Sequence, residues 1–172
     1  MNRNYRIIFK WLSYVLFLTA LAVIQTSLLP NLKLFGASPN LLPIAATMVA
    51  VLEGGVPGAL FGLLAGLYCD AIIPKVDVLH TVYLFVSGLV IGQLVAALFK
   101  KNLVTAALCA IASLAVLDFF LMLLFFIVPR RAGISSLLQV ALPEILFSAI
   151  LSPLVYGPIR WANKRWGEEE EE

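Results

Sequence analysis

The sequence predicts an all-α, multi-pass membrane protein with about six transmembrane helices in a single domain. Hydrophobic residues form 62% of the 172 residues and charged residues only 13%, whereas soluble domains average about half and about a quarter. A single soluble core of this length cannot hide so much apolar surface. The lysines and arginines also fall at the ends of long apolar segments, so the predicted environment of the chain is the lipid bilayer.

The first three apolar segments are residues 11–29, 40–52 and 57–73. The first is longer than the 7–15 residues of a signal-peptide core, so we interpret it as a retained transmembrane helix. The second has only 13 residues and contains Pro43, which predicts either a short span in a thinned membrane or a half-helix shielded by its neighbours. The third is close to the roughly 20 residues that a spanning helix needs.

The remaining segments are residues 78–99, residues 103–128 and a last one that ends near Ile159. The last segment has two possible starts. Either Pro143 lies in its first turn, with Glu144 at the positive end of the helix dipole and residues 133–142 as an interfacial stretch, or the helix begins near Leu137 and Pro143 kinks it. Pro153 is expected to bend it in both cases. Residues 1–166 are the predicted transmembrane domain, and residues 167–172 a disordered acidic tail.

Basic residues orient the predicted bundle. With six spans, the positive-inside rule places both termini in the cytoplasm, because eight basic residues then lie inside and four outside. The inner set is Arg3, Arg6, Lys10, Lys100, Lys101, Arg160, Lys164 and Arg165, and the outer set is Lys33, Lys75, Arg130 and Arg131.

Glycines recur at every fourth position in the third segment, at Gly58, Gly62 and Gly66, and Asp70 takes the next position. This spacing keeps the glycines near one helix face, where another backbone can approach closely. Gly88 and Gly92 form a second pair on the fourth segment. Two interpretations remain open, namely packing within this bundle and docking of another protein.

Polar side chains within the membrane are biased toward the predicted outer half, where we expect a polar set that forms a partner contact or a pocket. Gln25 is predicted to make an interhelical hydrogen bond. Asp118 has no basic residue within any span to neutralise it, so it either makes a structural hydrogen bond or serves a functional contact. The set consists of Gln25, Asp70, Asp118 and Glu144.

Motifs of enzymes and cofactor sites are not found in the sequence. It has one histidine, His80, and no zinc-helix, phosphate-loop or dinucleotide pattern, so we expect a non-enzymatic protein without cofactor or metal. Cys69 and Cys109 fall inside apolar segments and are expected to be buried small side chains. The net charge of +2, without a basic face, predicts no nucleic-acid partner.

Four motifs in order resemble the MreD family of bacterial rod shape-determining membrane proteins. They are Gln-Thr-Ser-Leu-Leu-Pro from Gln25, Pro-Asn-Leu-Leu-Pro-Ile from Pro39, the glycines at positions 58, 62 and 66 (here called the glycine ladder) up to Asp70, and Leu-Pro-Glu-Ile-Leu-Phe-Ser from Leu142, which continues to Tyr156. The resemblance covers roughly residues 20–161. Two departures are a less glycine-rich segment after Asp70 and a tail of glutamates in place of bases.

The resemblance implies a scaffold subunit of the cell-elongation complex that makes peptidoglycan, located in the bacterial cytoplasmic membrane. The implied partners are the single-span protein MreC and, through it, the MreB cytoskeleton and the peptidoglycan transglycosylase and transpeptidase. The implied fold is similar to the substrate-binding components of energy-coupling-factor transporters. Gln25, Pro30, Pro39, Asp70, Pro143, Glu144 and Pro153 match the family pattern.

Two other functions remain open at this point. One is a small-molecule-binding subunit of a vitamin-type membrane transporter, with the outer polar set as its pocket. The other is an ion or proton pathway through Asp118.

Overall fold

The computed structural model describes residues 3–27, 39–72, 78–127 and 134–166, and these residues contain six helices and no strand. Five of the helices are long and apolar enough to cross a membrane. The predicted all-α polytopic fold is therefore confirmed. The helices are α1 (Arg3–Ser27), α2 (Leu41–Glu53), α3 (Gly55–Ile72), α4 (Leu79–Leu98), α5 (Leu103–Ile127) and α6 (Ile134–Trp166).

The first and last helices are longer than the sequence predicted. Helix α1 begins at Arg3, eight residues before the predicted start, because an apolar run marks the membrane depth of a helix and not its end. Helix α6 is continuous from Ile134 to Trp166 and contains Pro143. The placement of Pro143 in the first helical turn is therefore wrong, because the helix already begins at Ile134 and Pro143 lies inside it, as in the second alternative. The predicted disordered tail, residues 167–172, lies outside the described residues.

Helix α2 is the centre of the bundle. It contacts each of the other five helices, and all its residues from 41 to 52 are buried. Its 13 residues extend about 20 Å at 1.5 Å per residue, less than the roughly 30 Å of a bilayer core. Of the two predictions for this segment, the structure therefore supports a short helix that its neighbours shield from lipid.

The surrounding helices form two pairs. The most extensive contact in the bundle joins α3 and α4, and a second pair consists of α5 and α6. Helix α1 lies against α6 and α2, whereas α4 and α5 touch little, so a gap remains between the pairs. The chain direction places the start of α1 and the end of α6 at one end of the bundle, here called the termini end, and residues such as Gln25 and Asp70 toward the other end, here called the far end.

Candidate functional site

A hydrogen-bonded cluster at the far end joins α1, α2 and α6. The Gln25 side chain donates to Asn40 Oδ1 at 3.0 Å and accepts from the backbone N–H of Leu41, also at 3.0 Å. The backbone N–H of Asn40 donates to the Ser148 hydroxyl at 3.3 Å. Gln25 therefore accepts from the first backbone N–H of α2, which has no side-chain cap of its own.

The two carboxyl groups predicted on α5 and α6 lie beside this cluster. The Glu144 carboxyl group lies close enough to the Asn40 side chain and to Asp118 to interact electrostatically with both. Asp118 Oδ2 is buried and makes no hydrogen bond within the described part of the chain. Three predicted residues, Gln25, Glu144 and Asp118, are thus brought together through Asn40, a residue to which the sequence analysis gave no role.

Asp70 does not belong to this cluster, because its side chain caps the N-terminus of α4. Its Oδ1 accepts from the His80 backbone N–H at 3.2 Å and pairs with His80 Nδ1 at 2.8 Å. Its Oδ2 accepts from the backbone N–H of Thr81 at 3.0 Å and from the Thr81 hydroxyl at 2.6 Å. A carboxylate at the positive end of a helix dipole is stabilising. With these partners in α4, Asp70 acts as a cap from the neighbouring helix.

The glycine ladder lies inside the bundle. A Cβ atom added to Gly62 would overlap the carbonyl oxygen of Leu84 on α4, and one added to Gly66 would overlap the Thr81 backbone. From the other side, a Cβ atom on Gly88 would overlap the Gly58 backbone, and Gly92 faces the turn at Gly54 and Gly55 in the same way. The two sets of glycines therefore let α3 and α4 pack backbone against backbone.

A polar cluster at the termini end was not predicted from the sequence. Glu53, the last residue of α2, accepts from Lys10 Nζ at 2.8 Å, from the Tyr14 hydroxyl at 2.6 Å and from Asn163 Nδ2 at 3.0 Å. These partners belong to α1 and α6. Glu53 therefore ties the same three helices at this end that Gln25 and Asn40 tie at the far end.

The gap between α4 and α5 is an apolar groove with a volume of about 810 Å³. Its α4 wall carries Val78, Val82, Val86 and Val90, which follow one another at four-residue spacing, and its α5 wall carries small and aromatic residues. The wall extends from Val78 to Ile91, about 20 Å at 1.5 Å per residue. This opening on the outer surface of the bundle is called the α4–α5 groove.

Two hydroxyl groups in the groove are already engaged with protein atoms. The Tyr83 hydroxyl donates to the Ser113 carbonyl oxygen at 2.6 Å, and the Ser87 hydroxyl donates to the Leu84 carbonyl oxygen at 3.3 Å. The groove therefore offers an apolar surface to its occupant and few polar contacts.

Among the described residues, no group of three or more histidine, cysteine, aspartate or glutamate side chains is arranged to hold a metal ion. Cys69 and Cys109 are free thiols. No protein-family model, curated protein or solved structure matches the chain. The resemblance to the MreD family, and to the fold of the transporter components, stays a prediction.

Proposed function

We propose that this protein is a non-enzymatic scaffold subunit of the bacterial cell-elongation complex, which docks the single transmembrane helix of MreC in the α4–α5 groove. Through MreC it would connect to the MreB cytoskeleton and to the peptidoglycan transglycosylase and transpeptidase. The resemblance of the four sequence motifs names the complex. The open, apolar groove between two helices that barely touch is the observation that carries the docking role.

The composition of the groove supports a helix as its occupant. Valine side chains are short and have few rotamers, so a second helix can approach closely and little side-chain entropy is lost. The outward faces of the neighbouring helices carry longer side chains at similar spacing, such as Leu60 and Leu64 on α3 and Leu146 and Ile150 on α6. The α4 wall therefore differs from the ordinary lipid-facing surface of this bundle.

The distribution of basic residues supports an orientation in which the termini end faces the cytoplasm. Lys10, Lys100, Arg160 and Lys164 lie at that end by their positions on the helices, and basic residues are enriched on the cytoplasmic side of membrane proteins. The proposed location is the bacterial cytoplasmic membrane.

The alternative function, a small-molecule-binding subunit, depends on the far-end cluster. Its amide and hydroxyl groups at Gln25, Asn40 and Ser148 bind one another, and the Asp70 carboxylate is engaged by α4. Asp118 Oδ2 is the buried atom of that region that would be available to a solute. One available atom supports a vitamin pocket less well than the groove supports a helix.

The proposal is tested by filling the groove. We expect Val86→Trp to reduce recovery of co-expressed MreC with the purified protein at least about tenfold, because the indole occupies the space of the docked helix. The matched control is Ile150→Trp, which makes a comparable change at a residue of α6 that is 74% exposed. A photo-crosslinker at position 86, but not one at position 150, is expected to capture the MreC transmembrane segment.

Equal recovery of MreC with both variants would refute docking in the groove. Failure of the unmodified protein to co-purify with MreC would refute the scaffold function itself. A small molecule retained by the purified protein and lost in Asp118→Asn would support the alternative.

A further inference from the structure

The last turns of α6 carry a cluster of basic and aromatic side chains at the termini end. Arg160, Lys164 and Arg165 are exposed, Trp161 is 58% exposed, and Trp166 is partly buried. These five residues are called the basic-aromatic patch. It lies at the opposite end of the bundle from the far-end cluster, and the proposed docking groove does not use it.

The side chains of the patch are ordered against one another. The Arg165 guanidinium lies over the Trp161 ring, 5.2 Å from its centroid, and 5.8 Å from the centroid of the Trp166 ring. The Trp166 ring in turn stacks on Phe9 of α1, with centroids 5.5 Å apart and an interplanar angle of 22°. Cation–π contacts of this kind hold the guanidinium in place while its N–H groups stay available.

A fixed position reduces the side-chain entropy that Arg165 loses when it binds a ligand. One more cation is held nearby, because the Arg160 guanidinium lies 5.7 Å from the centroid of the Tyr156 ring.

The positive charge of the patch has no acidic partner within the described helices. Among the residues that the structure describes, Glu53 is the carboxylate at this end, and it is engaged by Lys10 at 2.8 Å and is only 10% exposed. Arg160, Lys164 and Arg165 form no ion pair with a described residue. Three cations that form no ion pair among the described residues lie beside indole rings, and this combination matches the chemistry of a phosphate group at the bilayer surface, where tryptophan side chains are enriched.

We propose that the basic-aromatic patch binds the headgroup phosphate of an anionic phospholipid. Arg165 donates its guanidinium N–H groups to the phosphate oxygens, Arg160 and Lys164 supply further positive charge, and Trp161 lies at headgroup depth beside them. The proposed ligand is a lipid and not a free anion, because the patch continues into the apolar surface of α6, where Leu154 is 72% exposed and can contact an acyl chain.

The test measures lipid adducts of the full chain by native mass spectrometry, with phosphatidylglycerol and phosphatidylcholine as probes. We expect phosphatidylglycerol to bind at least about tenfold more tightly. Arg165→Gln is expected to weaken it about fivefold, the effect of one basic residue near an anionic surface. The matched control is Lys100→Gln, which removes an exposed cation from the same end of the bundle but outside the patch.

Two further measurements distinguish a specific lipid site from general attraction between positive charge and anionic lipid, and from a site for a soluble anion. Trp161→Leu keeps every charge and is expected to weaken phosphatidylglycerol binding as well, because the guanidinium loses its support. Inorganic phosphate at the concentration of the lipid is expected not to displace it.

Equal binding of the two lipids would overturn the proposal. An effect of Lys100→Gln as large as that of Arg165→Gln, no effect of Trp161→Leu, or displacement of the lipid by inorganic phosphate would do the same. Retention of the unmodified elution profile by each variant in size-exclusion chromatography shows that loss of lipid is not loss of fold.

Discussion

Replacement of Gly62 by alanine is the sharpest test of how the bundle is held together. The added Cβ atom would overlap the carbonyl oxygen of Leu84, a backbone atom that cannot turn away as a side chain can. Helices α3 and α4 must therefore separate along their shared length. The same face also contains Gly66, where an added Cβ atom would overlap the Thr81 backbone of α4, so separation at Gly62 loosens that contact as well.

The magnitude follows from two opposing effects. Alanine is a better helix former than glycine by up to about 1 kcal/mol, whereas overfilling a packed interface costs about 1–3 kcal/mol. Because backbone atoms of the largest interface must move, the cost is expected near the upper value. Gly62→Ala should therefore lower the free energy of unfolding by about 2 kcal/mol.

Gly157→Ala is the matched control, since a Cβ atom there meets nothing within 4 Å outside its two chain neighbours. It makes the same chemical change on α6, where the gain in helix propensity is opposed by crowding against Pro158, so stability should change by less than about 1 kcal/mol. Both variants are compared by denaturant unfolding in one detergent, followed by α-helical circular dichroism. The same unfolding midpoint for the two variants would refute the close approach of α3 and α4.

Three further substitutions test the polar contacts by the same unfolding measurement. Glu53→Gln removes the counter-charge of Lys10 and should cost about 2 kcal/mol, the usual value for a hydrogen bond to a charged group. Asp70→Asn leaves one oxygen to accept bonds from α4 and should cost about 1–3 kcal/mol, through loss of the Thr81 contacts. Asp118→Asn should instead raise stability by about 1–2 kcal/mol, because an unpartnered carboxylate in the membrane is costly.

Each of these outcomes has a result that would contradict it. Unchanged stability of Glu53→Gln would mean that Lys10 reaches the headgroups without a partner. Destabilisation by Asp118→Asn comparable to that of Asp70→Asn would mean that the Asp118 carboxylate has a partner outside the described residues. If Asp70→Asn prevented complex assembly without loss of stability, Asp70 would contact a partner protein, as the sequence analysis predicted, and would not mainly cap α4.

The sequence predicted the helices well because hydropathy reports membrane depth directly. The 13-residue length of the second segment predicted either a short span in a thinned membrane or a helix shielded by its neighbours, and the burial of residues 41–52 favours the second. The sequence analysis missed the start of α1 at Arg3, because the polar residues in the first turns of a helix have the same low hydropathy as an unstructured terminal segment. It also left the interior position of Pro143 open, since proline is compatible with a helix start and with a kink.

The contacts between helices were much harder to predict, because their partners lie far apart in the chain. Glu53 and Lys10 are 43 residues apart, and Glu53 and Asn163 are 110 residues apart, so no local pattern connects them. The glycine ladder could be identified in the sequence, but the helix that packs against it could not be predicted. In hindsight, the spacing of Gly88 and Gly92 on α4 was the available signal, since two backbones that approach each other both need to lack side chains.

The enclosed position of α2 constrains how the protein is made. Its last residue, Glu53, leaves the ribosome 110 residues before Asn163, which completes its hydrogen bonds. Until α6 is synthesised, the side of α2 that packs against α6 is uncovered, and the Glu53 carboxylate lacks its hydrogen bond from Asn163. The polar contacts that fix the end of α2 are therefore completed only after the last helix of the bundle has been synthesised.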